Sequence, residues 1–192
     1  QGHLPVGPCM FGQIVVDDEH ILALIHKFLG HCTTGIGGNV LKGRRSGSTG
    51  IDHDGVAHGV IKRSGRAPNC SYFMNWTRTE DKITWDCEIG STGTYEVSIH
   101  YALPKGDEGT VLELSHNQSK IRYTITEPHE VQNRGQENDR ATRRESYVKD
   151  FKEVKIGKIK LNKGKGELTL RAVKIPGNTA LEFRLMMLKR IQ

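Results

Sequence analysis

The sequence predicts an all-β protein, a two-sheet antiparallel sandwich of jelly-roll type, and three observations carry that expectation. Only 35% of the 192 residues are hydrophobic, and 22 glycines stand beside 6 prolines, a turn-rich composition unlike that of a helical bundle. Apolar residues alternate with polar ones at period two across most of the chain beyond residue 80, the pattern of half-buried strands. Seven or more such runs follow one another at short spacing, separated by Gly, Asn and Pro turns.

The clearest run spans residues 81–101. Ile83, Trp85, Cys87 and Ile89 alternate with Thr84, Asp86 and Glu88, and beyond Gly90 to Gly93 the alternation resumes at Tyr95, Val97, Ile99 and Tyr101. Two alternating runs joined by a short Gly-rich turn predict a β-hairpin with one apolar face, which a second layer of strands must cover. Downstream, Leu112 and Leu114 make one strand and Ile121, Tyr123 and Ile125 another, with Asn117-Gln118 as the turn between them. Val154 and Ile156 occupy even positions but Ile159 and Leu161 odd ones, so the inward phase slips across Gly157-Lys158, as a glycine-containing bulge would make it do. Leu168, Leu170 and Ala172 form the next strand. After the turn at Ile175 to Asn178, Leu181, Phe183, Leu185 and Met187 form the last.

Residues 1–50 are expected to form a separate N-terminal piece, with the sandwich occupying 51–192. Ile21, Leu22, Leu24, Ile25, Phe28 and Leu29, preceded by Asp17-Asp18-Glu19 and followed by Gly30, fit one amphipathic helix. Thr33 to Gly50 is rich in Gly, Ser and basic residues and reads as a connection. Its Gly35-Ile36-Gly37-Gly38 completes neither a dinucleotide-binding nor a P-loop pattern.

A formal charge of +6 permits an anionic partner. Nucleic acid is not favoured: between Lys149 and Arg171 there are eight basic and three acidic residues, but Lys155, Lys158, Lys160, Lys163 and Lys165 alternate with the apolar set without interleaved stacking aromatics, which is the pattern of a solvated sheet face. No apolar run approaches the roughly 20 residues of a membrane-crossing helix, so no membrane partner is expected. Cys9, Cys32, Cys70 and Cys87 show no C-x-x-C spacing; Cys87 reads as a buried small hydrophobe, with a Cys70–Cys87 disulfide as the alternative. His53, Asp54 and His58 match no zinc spacing, and no metal ligand set or cofactor is expected.

Recognition chemistry concentrates in two stretches. Asn75-Trp76 in the 51–80 segment offers an aromatic face beside a hydrogen-bonding side chain, with the equal alternative that Trp76 closes one end of the core. The second is Glu127 to Lys149, almost wholly polar and too long for a simple connection, in which Arg140, Arg143 and Arg144 carry guanidinium forks suited to carboxylate or sulfate.

The run from Asp54 to Glu88 and the later runs Thr92–Tyr101, Glu145–Lys152, Lys163–Ala172, Ile175–Gly177 and Phe183–Ile191 resemble, in the same order, the C-terminal β-sandwich module of bacterial sulfatases of the N-acetylgalactosamine-6-sulfatase-like type. The resemblance covers about residues 51–192. The plan is also similar to galactose-binding-like carbohydrate-binding jelly rolls, through Thr92-Gly93-Thr94-Tyr95 to Tyr101. It implies a non-catalytic accessory module, periplasmic or extracellular, that binds a sulfated or acidic glycan for a sulfatase catalytic domain. Trp76 would stack on a sugar, Asn75 would hydrogen-bond beside it, and His58, Lys62, Arg63, Arg140 and Arg144 would pair with charge; a structural calcium, as in similar jelly rolls, is compatible with it. The formylglycine pattern of sulfatases is not completed by any of the four cysteines, so no catalytic residue is assigned. Two alternatives stand beside this expectation. One is a purely structural domain docking through Ile21–Leu29 and Met186-Met187; the other is a hydrolase assembled from the His and Asp residues of the 51–58 run, Asp52, His53, Asp54 and His58, with Glu127, His129 or Glu145.

Overall fold

The structure, a computed structural model, describes residues 55–65, 71–141 and 145–192, together with the backbone of two strands at 14–18 and 21–23. Two sheets stack face to face. In chain order the strands are β1 (Ile14–Asp18), β2 (Ile21–Ala23), β3 (Val56–His58), β4 (Lys62–Arg63), β5 (Phe73–Met74), β6 (Lys82–Ile89), β7 (Gly93–Ala102), β8 (Val111–His116), β9 (Ser119–Thr124), β10 (Lys152–Leu161), β11 (Gly164–Lys174) and β12 (Glu182–Arg190). One sheet runs β3-β6-β11-β8-β9; the other runs β10-β7-β12-β1-β2, with β4 and β5 attached beside β12. Pairing is antiparallel except for β1, which lies parallel to β12 from Ile14↔Met186 to Asp17↔Lys189. Among the described residues the one helical element is a 3-10 turn at Gln136–Asn138, and no helix is long and apolar enough to cross a membrane.

The run at residues 81–101 is not a hairpin. β6 pairs with β3 and β11 in one sheet, whereas β7 pairs with β10 and β12 in the other. The short segment between them is an arch that crosses the core. Alternation reports that one face of each strand is buried; it does not report which strand lies alongside, and two facing strands satisfy it as well as two adjacent ones. Ile83, Trp85 and Ile89 therefore meet Tyr95, Val97, Ile99 and Tyr101 within one core, all of them buried. Trp85 from one sheet touches Phe183 from the other edge-on, with ring centroids 5.9 Å apart. Each large apolar side chain removed from water in this way stabilises the sandwich by about 1.5–3 kcal/mol.

The turn at Asn117-Gln118 does join a hairpin, β8–β9, with His116↔Ser119 as its last pair. The phase slip near Gly157 is a bulge: the β10–β7 register shifts between Lys155 and Gly157, and Gly157 takes φ 139°, open to glycine alone without strain. It keeps Ile156, Ile159 and Leu161 all in the core while Lys155, Lys158 and Lys160 stay exposed on an edge strand. A second bulge, between Phe183 and Leu185, was not legible. It puts Met186 and Leu188 into the core and turns Met187 to the other face, so Met186 is unavailable as a docking surface. Of the expected helix at 21–29, Ile21–Ala23 is a strand paired with β1 and the remainder lies outside the described residues, as does the connection at 33–50. Cys87 is a free thiol that donates to the Gly166 carbonyl at 3.4 Å, and burial pushes its pKa up to about 11; Cys70 lies outside the described residues.

On the solvent side of the smaller sheet, Glu113 is almost fully buried between Arg122 (2.7 Å) and Arg171 (2.9 Å). Burial would raise its carboxyl, but the two guanidinium groups outweigh that and hold it below the usual range. His100 and His116 are also lowered, which in an imidazole favours the neutral form: burial lowers both, with Glu153 opposing and Arg184 reinforcing the effect at His100. A histidine whose folded pKa lies below the ordinary 6.5 binds fewer protons folded than unfolded, so stability rises with pH in that window. Chemical-denaturation midpoints should therefore be flat between about pH 7 and 8, fall as pH drops below 6.5, and fall further below 4.5 as Glu113 protonates. A midpoint that stays level from pH 7 to 5 would show that neither imidazole is held neutral.

Candidate functional site

The residues expected to form a glycan site occupy several parts of the fold. His58 lies on β3 in the five-stranded sheet, its Nε2 2.8 Å from Thr84 Oγ1. Lys62 and Arg63 lie on β4 in the other sheet. Lys62 is exposed, whereas the Arg63 guanidinium donates to the Gly55 carbonyl at 3.0 Å and sits 4.5 Å from the centre of the Phe73 ring. Asn75 adopts φ 61°, a left-handed conformation that asparagine tolerates, and donates through Nδ2 to the Val60 carbonyl at 2.8 Å. Arg140 is exposed in the long polar loop, and Arg144 lies outside the described residues.

Trp76 has no exposed surface and belongs to the core. The left-handed turn at Asn75 directs the chain inward there, and the Trp76 carbonyl accepts from the Ala180 amide at 2.7 Å and the Thr179 hydroxyl at 3.1 Å. An indole face with no exposed surface cannot stack on a sugar ring, so the stacking role is corrected in favour of the alternative, closure of one end of the core. Of the hydrolytic combination, Asp52, His53 and Asp54 lie outside the described residues. His58 is engaged with Thr84, while His129 Nε2 donates to the Asp150 carbonyl on a separate part of the surface. Among the described residues no three His, Cys, Asp or Glu side chains converge as a metal-binding set.

The long polar segment from Glu127 is a built structure. Its start is tied down by Tyr101, whose hydroxyl donates to the Glu127 carbonyl at 2.8 Å, by an ion pair between Glu127 and Lys152, and by a bridge of Leu103 to His129. Its middle is closed by a bridge of Arg134 to Val148 and by the Tyr147 hydroxyl, which donates to Asp139 at 2.6 Å. Its end is held by Ser146, 2.6 Å from Ser64, and by Lys149, which pairs with Glu182 at 2.7 Å and lies 4.7 Å from the centre of the Tyr72 ring. Burial alone would lower the Lys149 amine; Glu182 and Tyr72 raise it past its ordinary value.

This loop borders an open, shallow cleft of about 610 Å³ lined by His129, Glu130, Asn133, Arg134, Glu137 and Asp150, among others. Arg134 and Asp150 form an ion pair across it, and Glu130 accepts from the Lys105 amide at 3.0 Å. Asn133 donates through Nδ2 to Gln136 at 2.8 Å, while its Oδ1 is buried without a hydrogen-bond donor. A buried acceptor left unpaired in the protein wants an external donor. The lining thus presents three carboxylates, one guanidinium, carboxamides and an imidazole: an array that donates to and accepts from hydroxyl groups, with a negative balance of charge. The length and polarity of the segment pointed to this region in the sequence, but the residues singled out there were its arginines from Arg140 on, not the carboxamide and carboxylates of the cleft.

No protein-family model matches the chain, and no curated protein matches it. Among solved structures, similarity extends to the β-(1,4)-mannanase of Podospora anserina that carries a family 35 carbohydrate-binding module (17% identity over 72% of this chain and 26% of that one, TM-score 0.45). It extends also to a family 35 carbohydrate-binding module from Clostridium thermocellum (12% identity, 68% of this chain and 88% of that one, TM-score 0.44) and to an isomalto-dextranase of Arthrobacter globiformis (14% identity, 69% and 21%, TM-score 0.46). The chain spans about a quarter of the length of the mannanase.

Proposed function

We propose that this chain is a non-catalytic carbohydrate-binding module and that the cleft of the Glu127–Lys149 loop holds its ligand. The observation that carries the reading is the orphaned Asn133 Oδ1 in a cleft whose other polar groups are carboxylate, imidazole and carboxamide. Vicinal hydroxyls of a sugar both donate and accept, and such a lining answers both functions. Three carboxylates against one guanidinium make the cleft a poor host for sulfate esters, so a neutral glycan fits it better than the sulfated or acidic glycan implied by the sequence resemblance. A sulfated chain would have to use the scattered cations Lys62, Arg63 and Arg140 instead, and association with a sulfatase catalytic domain rests on the resemblance of residues 51–192 alone.

Without an aromatic platform, affinity at a single such site belongs in the micromolar to millimolar range. Titrating the labelled chain with neutral and with sulfated oligosaccharides, read by amide NMR, tests the proposal. Saturable shifts of the Asn133 side-chain amide and of Arg134 with a neutral oligosaccharide are expected, and Asp150→Ala should weaken them about tenfold by releasing Arg134 (about 1.4 kcal/mol). Shifts with sulfated ligands only, centred on Lys62 and Arg63, would replace the neutral ligand; none with any ligand would remove the binding function and leave the structural role.

A further inference from the structure

We propose that the chain carries a second, uncharged pocket at the β8–β9 turn, where His116 Nε2 and Asn117 Oδ1 receive one hydroxyl of a neutral sugar ring. The inference takes its ligand class from the carbohydrate reading above, but it uses none of the residues of the loop cleft. The cavity, about 260 Å³, is lined by His116, Asn117, Gln118, Ser119 and Asn162. That is a little below the roughly 300–1,000 Å³ of pockets that take drug-sized ligands, and suits a single ring.

His116 ends β8 on the core side of its sheet and is 2% exposed, yet its Nε2 has no hydrogen-bond partner. Its Nδ1 lies 3.4 Å from Asn117 Nδ2, an amide nitrogen that only donates, so Nδ1 is the acceptor. Burial holds the imidazole below its ordinary pKa and therefore neutral at pH 7, which leaves the single ring proton on Nε2. The result is a buried N–H donor with nothing to donate to.

Gly166 on the neighbouring strand β11 explains how that donor stays unpaired: no side chain comes from β11 to meet it. A Cβ at this position would lie 2.6 Å from His116 Nε2 and 3.2 Å from Asn117 Oδ1, so the ring nitrogen and the carboxamide oxygen converge over a bare Cα. One is a donor and the other an acceptor. A hydroxyl satisfies both at once; a carboxylate or sulfate oxygen accepts only and would be repelled by Asn117 Oδ1, and no lining side chain is charged to offset it. Asn117, at φ 53°, holds its carboxamide over the site from the turn.

The test is a titration of the whole labelled chain with methyl glycosides of galactose, glucose and mannose, following the imidazole nitrogens of His116 and the side-chain amide of Asn117. Saturable movement of both is expected with at least one glycoside. Gly166→Ala should abolish it while leaving cleft shifts at Asn133 intact, and Asn162→Ala, on an exposed turn with no part in the core, should weaken it severalfold. Shifts at Asn133 with none at His116 overturn this inference and spare the proposed function; shifts at His116 with none at Asn133 keep the inference and overturn the cleft. No shift at either overturns both, and a His116 shift that survives Gly166→Ala overturns the placement of the hydroxyl between His116 and Asn117 over Gly166.

Discussion

Trp76→Ala is expected to cost about 3–5 kcal/mol of folding stability, the usual loss for emptying a fully buried tryptophan site. Trp76 has no exposed surface, and its backbone ties to Thr179 and Ala180 survive truncation, so the loss is that of the side chain alone. Against a total of about 5–15 kcal/mol this is severe, and for a domain of this size it lowers the melting temperature by roughly 6–20 °C. Trp76→Phe should be far milder, because the indole Nε1 it removes is buried without a partner while most of the apolar volume remains. Thermal unfolding by circular dichroism of the two variants checks both halves. A folded Trp76→Ala protein of near wild-type melting temperature would return Trp76 to the list of contact residues and undo its placement in the core. The same burial, shared by Trp85, predicts that glycan binding leaves tryptophan emission unchanged.

The fold was legible wherever burial alone decides it. Ile83, Trp85, Tyr95, Val97, Leu168 and Leu170 occupy the core as their alternation requires, and the odd-even slip around Gly157 is a bulge. What alternation leaves undetermined is partnership. The same period-two code is written by a strand beside its neighbour and by one facing it across a core, and so the arch from β6 to β7 read as a hairpin. The bulge at Phe183–Leu185 escaped because Leu185, Met186, Met187 and Leu188 are all apolar and hide the change of phase.

The candidate site was less legible still. Trp76, Arg63 and Asn75 have the residue types of a binding surface but are consumed by packing and by backbone hydrogen bonds, which no local pattern reveals. Asn133 and His116 carry no local signal at all; each matters because an atom is buried without a partner, a property of the assembled molecule.

Gly59→Ala should destabilise the domain by roughly 2–6 kcal/mol, and the reason lies in how the Gly55–Arg63 segment is pinned. Gly59 has φ 85°, where an alanine costs about 1–3 kcal/mol in backbone strain. A Cβ there would also lie 1.8 Å from Asp81 Oδ1. Asp81 is 4% exposed, and its Oδ2 accepts the Val60 amide at 3.1 Å, while Asn75 holds the Val60 carbonyl from the other side. Displacing the carboxylate breaks the first of these bonds and leaves a buried charge and a buried amide unsatisfied, worth about another 1–3 kcal/mol. Gly90→Ala supplies the control: nothing lies within 4 Å of its Cβ position, and the change should stay within about 0.5 kcal/mol. If the collision with Asp81 is the larger part, the losses from Gly59→Ala and Asp81→Ala will be far from additive, because the double variant has no carboxylate left to displace. Additive losses in urea unfolding would instead assign the cost to backbone strain alone and dissolve the link between Gly59 and Asp81.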